Sequence, residues 1–236
     1  MSDSEGKEAG PLSPYDSMFR TQSALSDVAL VVEGKALHVN TCVLSHLSPV
    51  FLKMFVGEWK GKTEVPIADK KYDDFVELLL CVYPPFCKPI SMETLDAVLP
   101  LADEYGIESL KLRCEEFVLA RFNHRVKELN NPPNKELVHF LYLADKYKLN
   151  TLLEACIEKV KHRSYDGEHG VKMFNEFGLV SLEVKYRVTS ERMTLLEAPL
   201  RSCLSTRGHQ VISNYSFDFR KVHEYFIFDP KVAQLK

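Results

Sequence analysis

Asp27 and His38 offer a carboxylate and an imidazole at the two ends of a short apolar stretch, the pairing that general acid–base chemistry uses. A catalytic reading also needs a nucleophile and a place for substrate. The sequence contains no Gly-x-Ser-x-Gly elbow, no phosphate-binding glycine loop, no His-Glu-x-x-His and no glycine-rich dinucleotide turn. Asp27 and His38 are therefore expected to be structural, the aspartate bonding turn backbone and the histidine partly buried. No catalytic residue is assigned, and no enzymatic activity is expected. Six cysteines lie at 42, 81, 87, 114, 156 and 203, with no C-x-x-C and no accompanying pair of histidines. No metal site and no cofactor are expected from them. Four fall in apolar helical patterns, where a free thiol behaves as a small hydrophobe, which fits a reducing compartment, the cytoplasm or nucleus.

The single tryptophan, Trp59, stands between Gly57 and Gly61. Its ring either folds back onto Met54 and Phe55 or stands out as an aromatic anchor for a partner. Tyr83 has two similar readings: a core tyrosine with a satisfied hydroxyl, or a contact residue at a helix end.

The elements that must hold these residues begin at Ser26. Val28, Leu30 and Val32 around Ala29 and Val31 predict a strand buried on both faces, Glu33-Gly34-Lys35 a tight turn, and Ala36–Val39 the return strand. Cys42, Val43, Leu44 and Leu47 change the period to that of a helix. Ser48-Pro49 opens another, with serine as cap and proline at the first helical position. Phe51, Met54 and Phe55 make its apolar face. A two-glycine loop, a short strand at Thr63–Ile67 and a helix at Tyr72–Tyr83 follow, the last ended by Pro84-Pro85.

The stretch Leu95–Tyr105 is repeated at Leu137–Tyr147, an offset of 42 that also carries Leu110 onto Leu152, Cys114 onto Cys156 and Val118 onto Val160. Each copy predicts a helical hairpin, with Ser91 and Asn134 as N-caps, and the two are expected to stack. Asn130–Pro133 marks a boundary. Beyond His162, Leu182, Lys185, Tyr186, Met193 and Leu196 fit helices, while Val184, Tyr186 and Val188 equally fit a strand. Pro199 is expected to break either. Residues 1–14 are small and polar and are expected to be disordered; Tyr15–Leu25 holds Met18, Phe19 and Leu25 and suits a short helix, and residues 199–236 have no assigned fold.

The chain has 236 residues, 45% of them hydrophobic, and a net charge of −3. It shows no dense Lys/Arg stripe, so no nucleic-acid partner is expected. It shows no apolar run long enough to cross a membrane, so no membrane association is expected.

The order Ser26-Asp27-Val28, His38, Val43-Leu44-Ser45, Ser48-Pro49-Val50-Phe51 and Phe55 resembles the BTB (POZ) domain. The resemblance continues through Glu64–Ile67, Phe75, Leu79, Tyr83 and Ala102 to about Val118. It implies an α+β fold: a small β-sheet with a helical cluster at residues 15–122, followed by a mostly helical BACK or 3-box-like extension at 134–198. It also implies a protein-interaction module and a homodimer, with Met18, Phe19 and Leu25 in the dimer interface. The resemblance extends to adaptors that join a protein substrate to a cullin-3-class scaffold of a cullin-RING ubiquitin ligase. By that likeness Met54, Phe55, Trp59 and Tyr83 contact the cullin. The family's loop motif is apolar-x-Glu, and here Trp59-Lys60-Gly61 stands in its place, with glycine where glutamate is expected. Substrate recognition is expected in residues 163–236, since too few residues precede the BTB-like region to form a further domain. The competing reading is a BTB scaffold or transcriptional co-regulator without cullin binding, or a dimerising antagonist of a longer BTB protein.

Overall fold

The structure, a computed structural model, describes residues 16–84, 86–122, 132–167 and 170–205, with side chains for those between 18 and 197. The regions 1–14 and 206–236, for which disorder and an unassigned tail are expected, lie outside the described residues. The chain divides after Lys185 into two compact units.

A five-residue helix, α1 (Asp16–Arg20), precedes strand β1 (Val28–Val32), which turns into β2 (Lys35–Val39). The hairpin joins Val32 to Lys35 through Glu33 and Gly34, both at positive φ (48° and 73°), the requirement of a two-residue primed turn. A glutamate in the left-handed region has a reason here. Its carboxylate accepts a hydrogen bond from the Tyr72 N–H at 2.9 Å and so caps helix α4 (Tyr72–Val82). Strand β3 (Glu64–Ile67) pairs with β1 in parallel, giving the order β2-β1-β3. The central β1 is buried along almost its whole length, as its apolar run predicts.

Helix α2 (Thr41–Leu47) is capped by Asn40, whose side-chain oxygen accepts from the Val43 N–H at 3.1 Å. Helix α3 (Pro49–Val56) has Ser48 as its cap, accepting from the Phe51 N–H at 3.0 Å, and Pro49 at its first position. Phe51 is fully buried, stacked on Tyr105 (centroids 4.6 Å apart) and edge-on to Phe75 at 6.4 Å.

The repeat forms two helical hairpins, α5 (Met92–Glu104) with α6 (Glu108–Phe122), and α7 (Asn134–Lys146) with α8 (Asn150–Val160). Their turns match bond for bond. The Ile107 N–H donates to the Ala102 carbonyl at 2.8 Å, and the Leu149 N–H to the Ala144 carbonyl at 2.9 Å. The intervening residues, Gly106 and Lys148, are both left-handed at φ 64° and 57°. The hairpins stack, and Glu115 of α6, only 8% exposed, accepts from the Leu152 N–H of α8 at 2.8 Å. Ser91 forms the expected cap with Thr94, whereas Asn134 is the first helical residue and Pro133, with its fixed φ of −59°, takes the cap position.

A 3₁₀ turn (Val171–Met173) and α9 (Asn175–Leu179) follow. The last described element is α10 (Leu182–Ser205), which runs as one helix through Pro199. The strand alternative over Val184–Val188 is not taken, and Pro199 does not break the helix. The helical spacing of Leu182, Lys185, Tyr186, Met193 and Leu196 prevails over a three-residue alternation. The domain boundary expected at 198/199 falls inside this helix.

Candidate protein-interaction surface

Helix α3 has apolar residues on both faces. Phe51 takes the inner one; Met54 and Phe55 are half-buried at its margin, with Phe55 stacked on Phe51 at 5.8 Å. Pro49, Leu52, Lys53 and Val56 lie along the outer face at one-turn spacing, Leu52 45% and Val56 62% exposed. The chain then turns back: the Trp59 N–H donates to the Met54 carbonyl at 3.1 Å, and the Lys62 N–H to the Trp59 carbonyl at 3.1 Å. Trp59 is half-buried, so its ring lies between the two expected extremes. Gly61 sits at φ 70° with nothing within 4 Å of where a Cβ would stand.

Tyr83 belongs to a different neighbourhood. Its hydroxyl accepts from the Asn40 N–H at 2.6 Å and lies 3.3 Å from the Asn40 carbonyl, and its ring meets Phe19 edge-on at 5.2 Å. Burial pushes its pKa up to about 12, against the opposing hydrogen bond from Asn40. The loop after it is tightly held. Arg113 of α6 donates to the carbonyls of Cys81 at 2.6 Å and Lys88 at 2.8 Å, while the Lys88 ammonium pairs with Glu77 at 2.6 Å. Cys87, at φ 37°, is kept in a sparsely populated conformation by these bonds.

Of the residues expected at a dimer interface, Phe19 is 4% exposed and packs within its own chain, whereas Met18 (48%) and Leu25 (81%) face solvent. Arg20 anchors α1, donating to the Tyr72 hydroxyl at 3.2 Å. Both carboxylate oxygens of Asp27 are engaged by Thr41, through its N–H at 2.7 Å and its hydroxyl at 2.6 Å. His38 is half-buried and, with Asp27 and Glu64, lines a cavity of about 170 Å³.

Among the described residues no group of three histidine, cysteine, aspartate or glutamate side chains is placed to hold a metal ion. Burial drives the Cys81 and Cys114 thiols up, to about 11 and about 12, away from thiolate chemistry. Four contributors escaped the sequence reading: Leu52, Val56, Arg113 and His139. The last bridges Asp96 of α5 and Glu176 of α9 at 2.9 Å each. Only Leu52 and Val56 left a signal, as apolar residues out of phase with Phe51 and Phe55.

What this geometry defines is a protein-interaction module: a small sheet and paired hairpins that leave an apolar helix face exposed. Residues 17–121 match the family described as BTB/POZ domain. The chain is 30% identical over 158 residues to BTB and MATH domain-containing protein 38 of Caenorhabditis elegans, covering 66% of this chain and 37% of that protein. It is 33% identical over 147 residues to TD and POZ domain-containing protein 3 of Mus musculus, covering 61% and 35%. The chain thus spans well under half the length of these curated relatives. Among solved structures, the BTB domain of human gigaxonin aligns with a TM-score of 0.35 at 18% identity, covering 48% of this chain and 99% of that one. The chain contains a BTB/POZ domain at residues 17–121.

Proposed function

We propose that this chain is a dimeric BTB adaptor that brings a protein substrate to a cullin-3-class scaffold of a cullin-RING ligase, in the cytoplasm or nucleus. The observation that carries the reading is the exposed apolar pair Leu52 and Val56, with the half-buried Trp59 in the turn that follows, on a BTB domain, an arrangement that would be costly to leave uncovered. Catalysis then belongs to the ligase, and the adaptor supplies proximity. Met18 and Leu25 supply the dimer surface, and the helices from Asn134 onward form a BACK-like extension. Substrate binding falls to residues beyond 162.

The alternative, a scaffold or co-regulator that binds no cullin, is favoured by Gly61, which offers no carboxylate where the resembling motif has one. Calorimetry with a cullin N-terminal domain separates the two. A truncated aromatic anchor in a desolvated patch loses about 2 kcal/mol or more, so Trp59→Ala should weaken binding roughly thirtyfold and leave the dimer intact in sedimentation. No binding by the unmodified chain at high micromolar concentration supports the scaffold. A monomer at micromolar concentration removes the dimer from either reading.

A further inference from the structure

Helix α10 carries two apolar faces with different surroundings. Val184 and Val188 lie one turn apart on one face and are 4% and 0% exposed. On the opposite side Leu182, Tyr186, Thr189, Met193 and Leu196 follow one another at alternating intervals of four and three residues. Leu182 is 82% and Tyr186 75% exposed, Thr189 is exposed, and Met193 and Leu196 are half-buried. The sequence keeps the same spacing at Leu200 and Cys203. A helix packed on a globular core shows a broad stripe with the 3.6-residue period. A strict four-three alternation is the narrow seam that two supercoiled helices share.

Charge decides which helix fits the seam. In heptad terms Tyr186 and Met193 stand at a, and Leu182, Thr189 and Leu196 at d. The flanking g positions hold Lys185 and Arg192, and the flanking e positions hold Glu183, Ser190 and Glu197. Every charge at g is thus basic and every charge at e acidic. In a parallel pair of this helix with itself, each g faces the e of the next heptad across the seam. Arg192 of each copy then meets Glu197 of the other, and Lys185, which donates to the Gly178 carbonyl at 2.8 Å, faces the neutral Ser190. An antiparallel pair sets g against g and e against e, so that like charges oppose each other along both flanks. We infer that the face of α10 bearing Leu182, Tyr186, Met193 and Leu196 pairs, parallel and in register, with the same face of a second copy of this chain. The pairing is self-complementary, as a two-fold interface requires. It uses no residue of α1 or α3, and so goes beyond the adaptor reading and does not rest on it.

The full chain is prepared with Met193→Cys or Leu196→Cys on the seam, or Thr194→Cys beside it, and oxidised in a glutathione buffer. Mass spectrometry of the joined peptides reads which positions link. Met193→Cys and Leu196→Cys should each link to their own kind roughly tenfold more than Thr194→Cys, because a meets a and d meets d in a parallel pair. Adding Arg192→Glu to Met193→Cys should cut linkage roughly fivefold, as should adding Glu197→Arg, and mixing those two proteins should restore it in species holding one of each. Unchanged thermal melts verify the fold, and the two seam positions report independently. No linkage at either seam position, as when residues 206–236 of the same chain cover the face, overturns the inference. So does equal linkage of Met193→Cys and Thr194→Cys, linkage of Met193→Cys only to Leu196→Cys in a mixture, or indifference to the charge changes. Cullin binding is measured on the same proteins: its absence with linkage intact defeats the adaptor reading alone, and its presence without linkage defeats this one alone.

Discussion

Replacing Gly61 with Glu restores the carboxylate that the resembling loop motif carries, and the backbone makes the outcome calculable in two separable parts. Gly61 lies at φ 70°, with open space where a Cβ would stand, so the substitution meets no clash and only left-handed strain. That strain is about 1–2 kcal/mol for a residue with a Cβ. It is partly offset by the smaller entropy loss of a non-glycine residue, about 0.5–1 kcal/mol. Gly61→Glu and Gly61→Ala should therefore both lower stability by about 1 kcal/mol, a melting shift of roughly 2–4 °C for a domain of this size. The strain is the same in free and bound protein, so it does not enter the affinity. A hydrogen bond made by a charged group adds about 1.5–3 kcal/mol, or roughly 10- to 150-fold in binding. Thermal melts and calorimetry against a cullin N-terminal domain are run on all three proteins. If the Glu variant binds no more tightly than the Ala variant, the missing carboxylate is not what limits this face. If neither variant melts lower, the left-handed turn at Gly61 is wrong.

Leu101 and Leu143 are equivalent buried positions of the two hairpins, so alanine at either should lower stability by roughly 2–5 kcal/mol in chemical denaturation; a loss below half a kcal/mol would mean the hairpin does not pack as described. At the paired turn positions the signs should diverge: Gly106→Ala destabilises by about 1–2 kcal/mol through strain and a Cβ placed 3.1 Å from Pro49, whereas Lys148→Gly relieves strain and should raise stability or leave it level. Tyr83 keeps its proton to about pH 12 when folded, while the unfolded chain releases it near its ordinary value of about 10. Its contribution is thus present below pH 10 and lost as pH rises toward 12; Tyr83→Phe should flatten part of the alkaline fall in stability, and an unchanged pH profile would contradict the burial of that hydroxyl.

The parts of the fold legible in the sequence are those where one residue type has one physical use. Gly34 announces the hairpin, Ser48-Pro49 announces the start of α3, and the offset of 42 announces two equivalent hairpins. The illegible parts are those where a residue type serves many uses. Lys148 gives no hint that it is left-handed, nor Glu115 that it caps a helix of the next hairpin, nor Arg113 that it gathers loop carbonyls. The surface on α3 was half legible. With Phe51 and Phe55 on one side and Leu52 and Val56 on the other, the apolar pattern runs around the helix. Period alone does not say which side the core takes.

The core chooses the Phe51 side because of the turn between α5 and α6. Ser48 donates its hydroxyl to the Tyr105 carbonyl at 2.5 Å, Phe51 stacks on the Tyr105 ring at 4.6 Å, and Pro49 lies so close over Gly106 that a Cβ there would stand 3.1 Å from it. Three consecutive contacts from one turn fix the start and the rotation of α3, and so force Leu52 and Val56 outward. The second hairpin has the same turn geometry, and the equivalent of Gly106 there is an exposed lysine, Lys148. The repeat thus keeps its hydrogen bonds in both copies and reserves glycine for the copy against which α3 packs. A packing demand in the first hairpin becomes, one helix away, the exposure of Leu52 and Val56.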